Sequence, residues 1–328
     1  MRSSCFEMVW LKINKNVRFW LLPVVALAAG LIIGVIIGYS LNITPLQGAI
    51  SSTVHFYYPC SLGVGPDGSV YVVDSGELHV MARGGAWTTI APAGSTLGQV
   101  YLQGGGVAVG RDGTVYVADT RHDRIQVMSP DGTWVGWGSR GTDLGRFNHP
   151  GGVAVDSDGT VYVADTDNHR VQMRAPDGTW AILGKWTISR SYGDGPGEFY
   201  SPYDVAVGRD GTLYVADYGD DQIQMRTPDG TWAILGSHGD GLGQFAAPSG
   251  LAVGPDGALY VADYDNDRIQ VRASDGTWTS WGSRGTGFGQ FRGPSDVAVS
   301  RGGTVYVADS GNDHVQARSP DGTWWVLG

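Results

Sequence analysis

Cysteine, glutamate and charge are all scarce in this chain. Its two cysteines, Cys5 and Cys60, are too few for a disulfide framework. Charged residues reach only 16%, against 42% hydrophobic and 11% aromatic residues, which rules out a disordered chain. Glu7, Glu77 and Glu198 are the only glutamates among 32 acidic residues; the others are aspartates, mostly beside glycine, where a short carboxylate bonds the local backbone. Neither a Gly-x-Ser-x-Gly elbow nor a phosphate-binding Gly-Lys-Ser/Thr sequence occurs. Glycine is abundant instead, 52 of 328 residues, too many for a helical protein. It does not fall at every third position, so collagen is excluded and a turn-rich globular fold is expected.

Net charge is −10, unevenly spread. Before residue 42 stand Arg2, Lys12, Lys15 and Arg18 against Glu7, a local +3, so the remainder carries −13. So acidic a body makes nucleic acid an unlikely partner. Phe19 to Leu41 holds no Asp, Glu, Lys, Arg or His, and as a helix it would reach ~35 Å, enough to span a bilayer. The basic flank on its N-terminal side puts that end in the cytoplasm and everything after Leu41 outside. The expectation is a single-pass signal anchor, with secretion after signal cleavage as the alternative. Gly30, Gly34 and Gly38, four residues apart, offer a face for helix dimerisation.

Beyond the anchor the sequence repeats. The run Val107-Ala-Val-Gly-Arg-Asp-Gly-Thr-Val-Tyr-Val-Ala-Asp119 has counterparts starting at Leu62, Val153, Val205, Leu251 and Val297, a period near 46 residues. Each unit holds four β-like runs separated by turns such as Asp158-Gly159 and Asp177-Gly178. The first two runs are nearly continuously apolar and should lie inside, whereas the third alternates and should lie, with the fourth, toward the solvent rim. Phe56, Phe147, Phe199, Phe245 and Phe291 each stand six residues before the frame position, with Tyr101 in the corresponding place of unit two. The fold class is therefore all-β: a six-bladed β-propeller of four-stranded antiparallel blades, preceded by one transmembrane helix. Residues 1–18 form the cytoplasmic segment, 19–41 the anchor, 42–55 a linker and 56–328 the propeller. Consecutive strands fill every blade, so closure should rest on packing of blades one and six and not on a shared sheet.

Proline, Val-Ala-Val, Tyr-Val-Ala-Asp and Asp165-Thr-Asp-Asn168-His169-Arg170-Val171, with glycine-rich loops ending in Gly-Gln-Phe, resemble the NHL-repeat family across residues 56–328. Propeller enzymes similar to that family, the amidating lyases and lactonase-like hydrolases, hold a metal at the channel mouth. The residues preceding the six frame positions are Ser61, Gly106, Gly152, Asp204, Gly250 and Asp296, with no histidine and two carboxylates. A zinc lyase is disfavoured; no cofactor is expected, calcium at Asp204 and Asp296 being the one metal left open. The ring Asp74, Asp119, Asp165, Asp217, Asp263 and Asp309 ends each second strand and should cap the turn that follows. His122, His169 and His314 are read as equivalent places in the repeat. The candidate ligand-binding residues, on the upper face and channel mouth, are Asp204, Asp296, His122, His169, Asp220, Asp267, Asp313 and Trp186. The reading is a membrane-anchored extracytoplasmic binding or sensing module, its partner a protein or glycan, with a metal-dependent lyase or lactonase-like hydrolase as the alternative.

Overall fold

A computed structural model describes residues 54–83, 85–101, 104–185 and 195–327. The span Phe19–Leu41 and Trp186 lie outside the described residues, and among the described residues no helix is long and apolar enough to cross a membrane. In unit three the four runs become antiparallel strands at Pro150–Val155, Val161–Asp165, Arg170–Arg174 and Trp180–Lys185. The other five units repeat this order, giving six four-stranded meanders. Gly113, Gly159, Gly211 and Gly257 supply the positive φ, 81° to 93°, that the hairpins between first and second strands demand.

The sheets stand radially. Each first strand touches the first strand of the next blade, and Pro294–Val299 of blade six touches Pro59–Val64 of blade one. Six apolar clusters fill the six interfaces between neighbouring blades; Val261 and Ile223, for example, pack blade five on blade four. Fourth strands are partly exposed, as expected. Third strands depart from expectation: their alternation does not put one face in solvent, because Gln126, Gln172, Gln224 and Gln270 are fully buried. Each of these glutamines reaches a neighbouring glycine-rich loop, Gln172 accepting the Gly145 amide at 2.9 Å and donating to the Arg146 carbonyl at 2.7 Å.

Closure uses no shared strand among the described residues. Thr120 and Thr166 donate their hydroxyls to the carbonyls of Pro150 and Pro202, each clasping the next blade. Ser310 and Ser295 of blade six do the same to Pro59 of blade one. Asp296 adds a buried bond, its Oδ2 accepting the Leu62 amide at 2.7 Å. Removing that acceptor orphans a buried N–H, a loss of ~1–3 kcal/mol. Asp296→Ala should therefore lower Tm by ~3–10 °C in a calorimetric scan, while Asp296→Asn, which keeps an acceptor, stays near wild type. Equal Tm values for Ala and wild type would deny Asp296 its part in closure.

The ring of aspartates ending the second strands does something other than cap the next turn: where a short 3-10 turn follows, no side-chain cap bond is made. Asp165 instead accepts the Asn148 amide of its own lead-in at 2.8 Å, Arg170 Nε at 2.6 Å, Gln172 Nε2 at 3.0 Å and, on its two oxygens, Asn168 Nδ2 at 3.1 and 3.0 Å. It is a buried hub tying the lead-in loop to the third strand. In blade two the Tyr101 amide plays the part of Asn148, donating to Asp119. The buried residue in the phenylalanine place is therefore Val100, one position earlier than the sequence offset suggests. One extra residue between Val100 and Val107 makes the difference, and it leaves the Tyr101 ring at the surface.

Candidate functional site

The upper face is defined by the lead-in loops, the connections between second and third strands, and the starts of the first strands. These segments bring five tyrosines to the mouth of the central channel: Tyr58 and Tyr101 from lead-ins, Tyr203 from the start of a first strand, and Tyr218 and Tyr264 directly after the hubs Asp217 and Asp263. Together they wall a funnel of about 500 Å³. Ser75, Gly76, Gly104, Ser249, Ser295 and Cys60 complete its lining, so among the described residues no Asp, Glu, Lys, Arg or His side chain lines it. The rings are interlocked. Tyr58 and Tyr264 share a hydrogen bond at 3.1 Å between hydroxyls, and the Tyr203 and Tyr218 rings lie 5.5 Å apart at 37°. The Tyr203 hydroxyl occupies the space a side chain at Gly104 would need, a Cβ there falling 2.0 Å from it. Burial is the main reason the phenols of Tyr58, Tyr203 and Tyr218 ionise above their ordinary value, so these walls stay neutral.

Below the funnel the channel narrows to about 10 Å³, between Asp204, Asp296, Gly106, Gly152 and the base of Tyr203. Each aspartate here follows a glycine in the preceding blade for a steric reason. A Cβ on Gly152 would lie 2.0 Å from Asp204 Oδ1, and one on Gly250 would lie 2.4 Å from Asp296 Oδ1. Asp204 Oδ2 accepts the Leu251 amide of blade five at 2.7 Å, as Asp296 accepts that of Leu62. Loss of water pushes Asp296 up to about 7, and it drives Asp204 well above the carboxylate range, with the neighbouring Asp296 charge adding to the effect. Burial likewise pushes the Cys60 thiol up to about 12, so it is no thiolate. The donor set here does not fit a resident zinc or calcium. Both carboxylates already spend an oxygen on a backbone amide, and among the described residues no three His, Cys, Asp or Glu side chains converge.

The structure puts Asp204 and Asp296 one layer beneath the mouth. None of His122, His169, Asp220, Asp267 and Asp313 lines the funnel. The three repeat histidines are not equivalent: His122, His169 and His314 stand three, four and five residues after their hub aspartates. His122 Nδ1 pairs with Asp119 at 2.9 Å, His169 bonds the Tyr200 carbonyl and stacks on its ring, and His314 faces Asp309 at 3.2 Å. Asp267, in a left-handed conformation at φ 52°, accepts the Gly293 amide of the next lead-in at 2.8 Å. Asp313 adopts the same conformation at φ 58°.

Sequence reasoning missed the tyrosines. Tyr218 and Tyr264 share one place in the repeat, directly after the hub aspartate, but Tyr58, Tyr101 and Tyr203 stand at three others, so no single period gathers the five.

A family model described as NHL repeat matches residues 105–128, 147–172, 245–271 and 291–317. No curated protein matches the chain. Among solved structures, the chain is similar to virginiamycin B lyase from Staphylococcus aureus, at 13% identity and TM-score 0.57, over 84% of this chain and 86% of that one. A gluconolactonase from Xanthomonas campestris matches at 15% identity and TM-score 0.59, over 78% and 84%. An auxiliary nutrient binding protein from Bacteroides thetaiotaomicron matches at 15% identity and TM-score 0.60, over 84% and 70%. At such identities the likeness is one of fold.

Proposed function

The chain belongs to the NHL-repeat family, and from that premise we propose that its propeller is a membrane-anchored, extracytoplasmic binding module whose ligand enters the tyrosine-walled funnel. The funnel carries this reading. Its volume, about 500 Å³, suits a small ligand or the tip of a larger one. Five phenols and three serine hydroxyls suit a glycan or a protein loop, through ring stacking and hydrogen bonds. Tyr58, Tyr101 and Tyr218 retain 47%, 48% and 40% exposure, surface that a ligand would cover. The apolar span Phe19–Leu41, with its basic N-terminal flank, supports the anchor and its orientation.

Two measurements test it. A Tyr58→Ala/Tyr218→Ala double variant of the full chain should lose at least ~5-fold of its affinity for the glycans it captures from an array, two ring contacts at ~0.5–1.5 kcal/mol each. Undiminished capture would end the reading. Protease added to intact cells should digest the propeller; a protected propeller would reverse the topology.

A second reading, a lyase or lactonase-like hydrolase, is favoured by one feature: the Asp296 carboxyl, pushed up to about 7 directly beneath the funnel, is poised as a general base. It calls for turnover of a lactone panel that rises through pH 7 and vanishes in Asp296→Asn. An unchanged rate in that variant would exclude Asp296 as the base.

A further inference from the structure

The opposite end of the channel carries a feature that the funnel reading does not use. Each first strand ends in valine, and Val64, Val109, Val155, Val207, Val253 and Val299 line a lower cavity of about 180 Å³. Two residues after each valine stand Pro66, Arg111, Ser157, Arg209, Pro255 and Arg301, all lining the same cavity. Arginine thus occupies blades two, four and six, and an uncharged residue blades one, three and five. In a six-bladed ring, alternate blades are a third of a turn apart, so three guanidinium groups surround the axis with threefold spacing.

Several other repeat arginines have partners. Arg124, Arg170 and Arg268 bind the hub aspartates, and Arg174 and Arg318 lie over Trp137 and Trp281 at 4.1 and 4.5 Å. Arg111, Arg209 and Arg301 are exposed, and among the described residues none has an ion-pair or hydrogen-bond partner. The adjacent carboxylates are turned into their own hairpins. Asp112 holds the Thr114 amide and hydroxyl, and Asp210 holds those of Thr212. Asp156, the one carboxylate in the lining, accepts the Tyr162 hydroxyl and the amides of Asp158 and Thr160. The body that carries −13 overall therefore gathers three unpaired cations at one mouth.

Three like charges on one rim repel each other until an anion sits among them. We propose that this lower mouth binds a phosphate or sulfate group, free or as a terminal monoester, with one arginine on each of three oxygens and the fourth oxygen directed away along the channel axis. Guanidinium forks match such oxyanions closely.

The test titrates the full chain with inorganic phosphate, sulfate and chloride at constant ionic strength. Phosphate and sulfate should raise Tm and chloride should not. Each of Arg111→Ala, Arg209→Ala and Arg301→Ala should weaken phosphate binding ~10-fold, the triple variant should abolish it, and Arg→Lys changes should fall between. Arg140→Ala, an exposed arginine outside the cavity, controls for net charge. A second arm separates the sources of the group: vesicles containing phosphatidic acid against pure phosphatidylcholine, with free phosphate as competitor. Phosphate-sensitive binding to the first alone assigns a lipid headgroup; response to phosphate in solution without vesicle binding assigns a soluble ligand. Chloride as effective as phosphate, a triple variant that still binds, or an equal loss in Arg140→Ala overturns the proposal.

Discussion

Asp165→Ala is expected to cost the propeller ~3–5 kcal/mol, because it strands a charge that has no route to water. Arg170 is only 5% exposed, and its guanidinium, after donating to the carbonyls of Thr142, Asp143 and Arg146, depends on Asp165 for its counter-charge. The Asn148 amide and the fully buried Gln172 lose an acceptor at the same time. At ~2–4 °C per kcal/mol for a body of this size, Tm should fall by ~6–20 °C. Asp165→Ala with Arg170→Met should recover part of the loss, since the uncompensated cation is then gone. Urea unfolding of the full chain measures both, and a loss below ~1 kcal/mol in the single variant would show that the hub is dispensable.

Blade four should respond in the opposite sense. Its hub, Asp217, has no arginine five residues on; Gln222 stands there instead. The carboxylate accepts the Tyr200 and Ser201 amides at 3.2 and 3.0 Å, and Asp220 adds a like charge. Burial, opposed by those amides and assisted by Asp220, pushes its pKa up to about 8. The folded state therefore holds its proton more tightly than the unfolded chain, whose aspartates titrate near 3.8. Folding is favoured below pH ~4 and loses that advantage as pH rises toward 8, where the buried carboxylate must ionise. Asp217→Asn removes the titration. It should be near neutral at pH 4 and stabilising by ~1–3 kcal/mol at pH 8–9, well under the linkage limit because neighbouring groups relax. Gln222→Arg, which rebuilds the hub seen in blade three, should stabilise in the same pH range. Parallel pH profiles for wild type and Asp217→Asn would refute the assignment.

These opposite expectations arise from one alignment position, and they mark how far the sequence could be read. Blade number, strand order and hairpin turns were legible because Val-Ala-Val, Tyr-Val-Ala-Asp and Asp-Gly recur with a period set by the chain itself. The hub aspartates were visible as a ring, but their partners were not: Asp165 bonds residues 17 positions earlier and seven later, distances that only the closed blade brings to one carboxylate. For the same reason the buried glutamines passed for one face of an alternating strand.

By itself, then, the sequence determined the repeating unit, since local turn chemistry and alternating burial act over a few residues and leave a periodic trace. The tertiary structure alone decided which groups meet at the axis. The five funnel tyrosines come from four different places in the repeat, and the three lower arginines, Arg111, Arg209 and Arg301, share one place in alternate units; each set converges only when six blades close around a common channel. Function at such a mouth depends on residues that change from blade to blade, and only the closed ring decides which of them face one another.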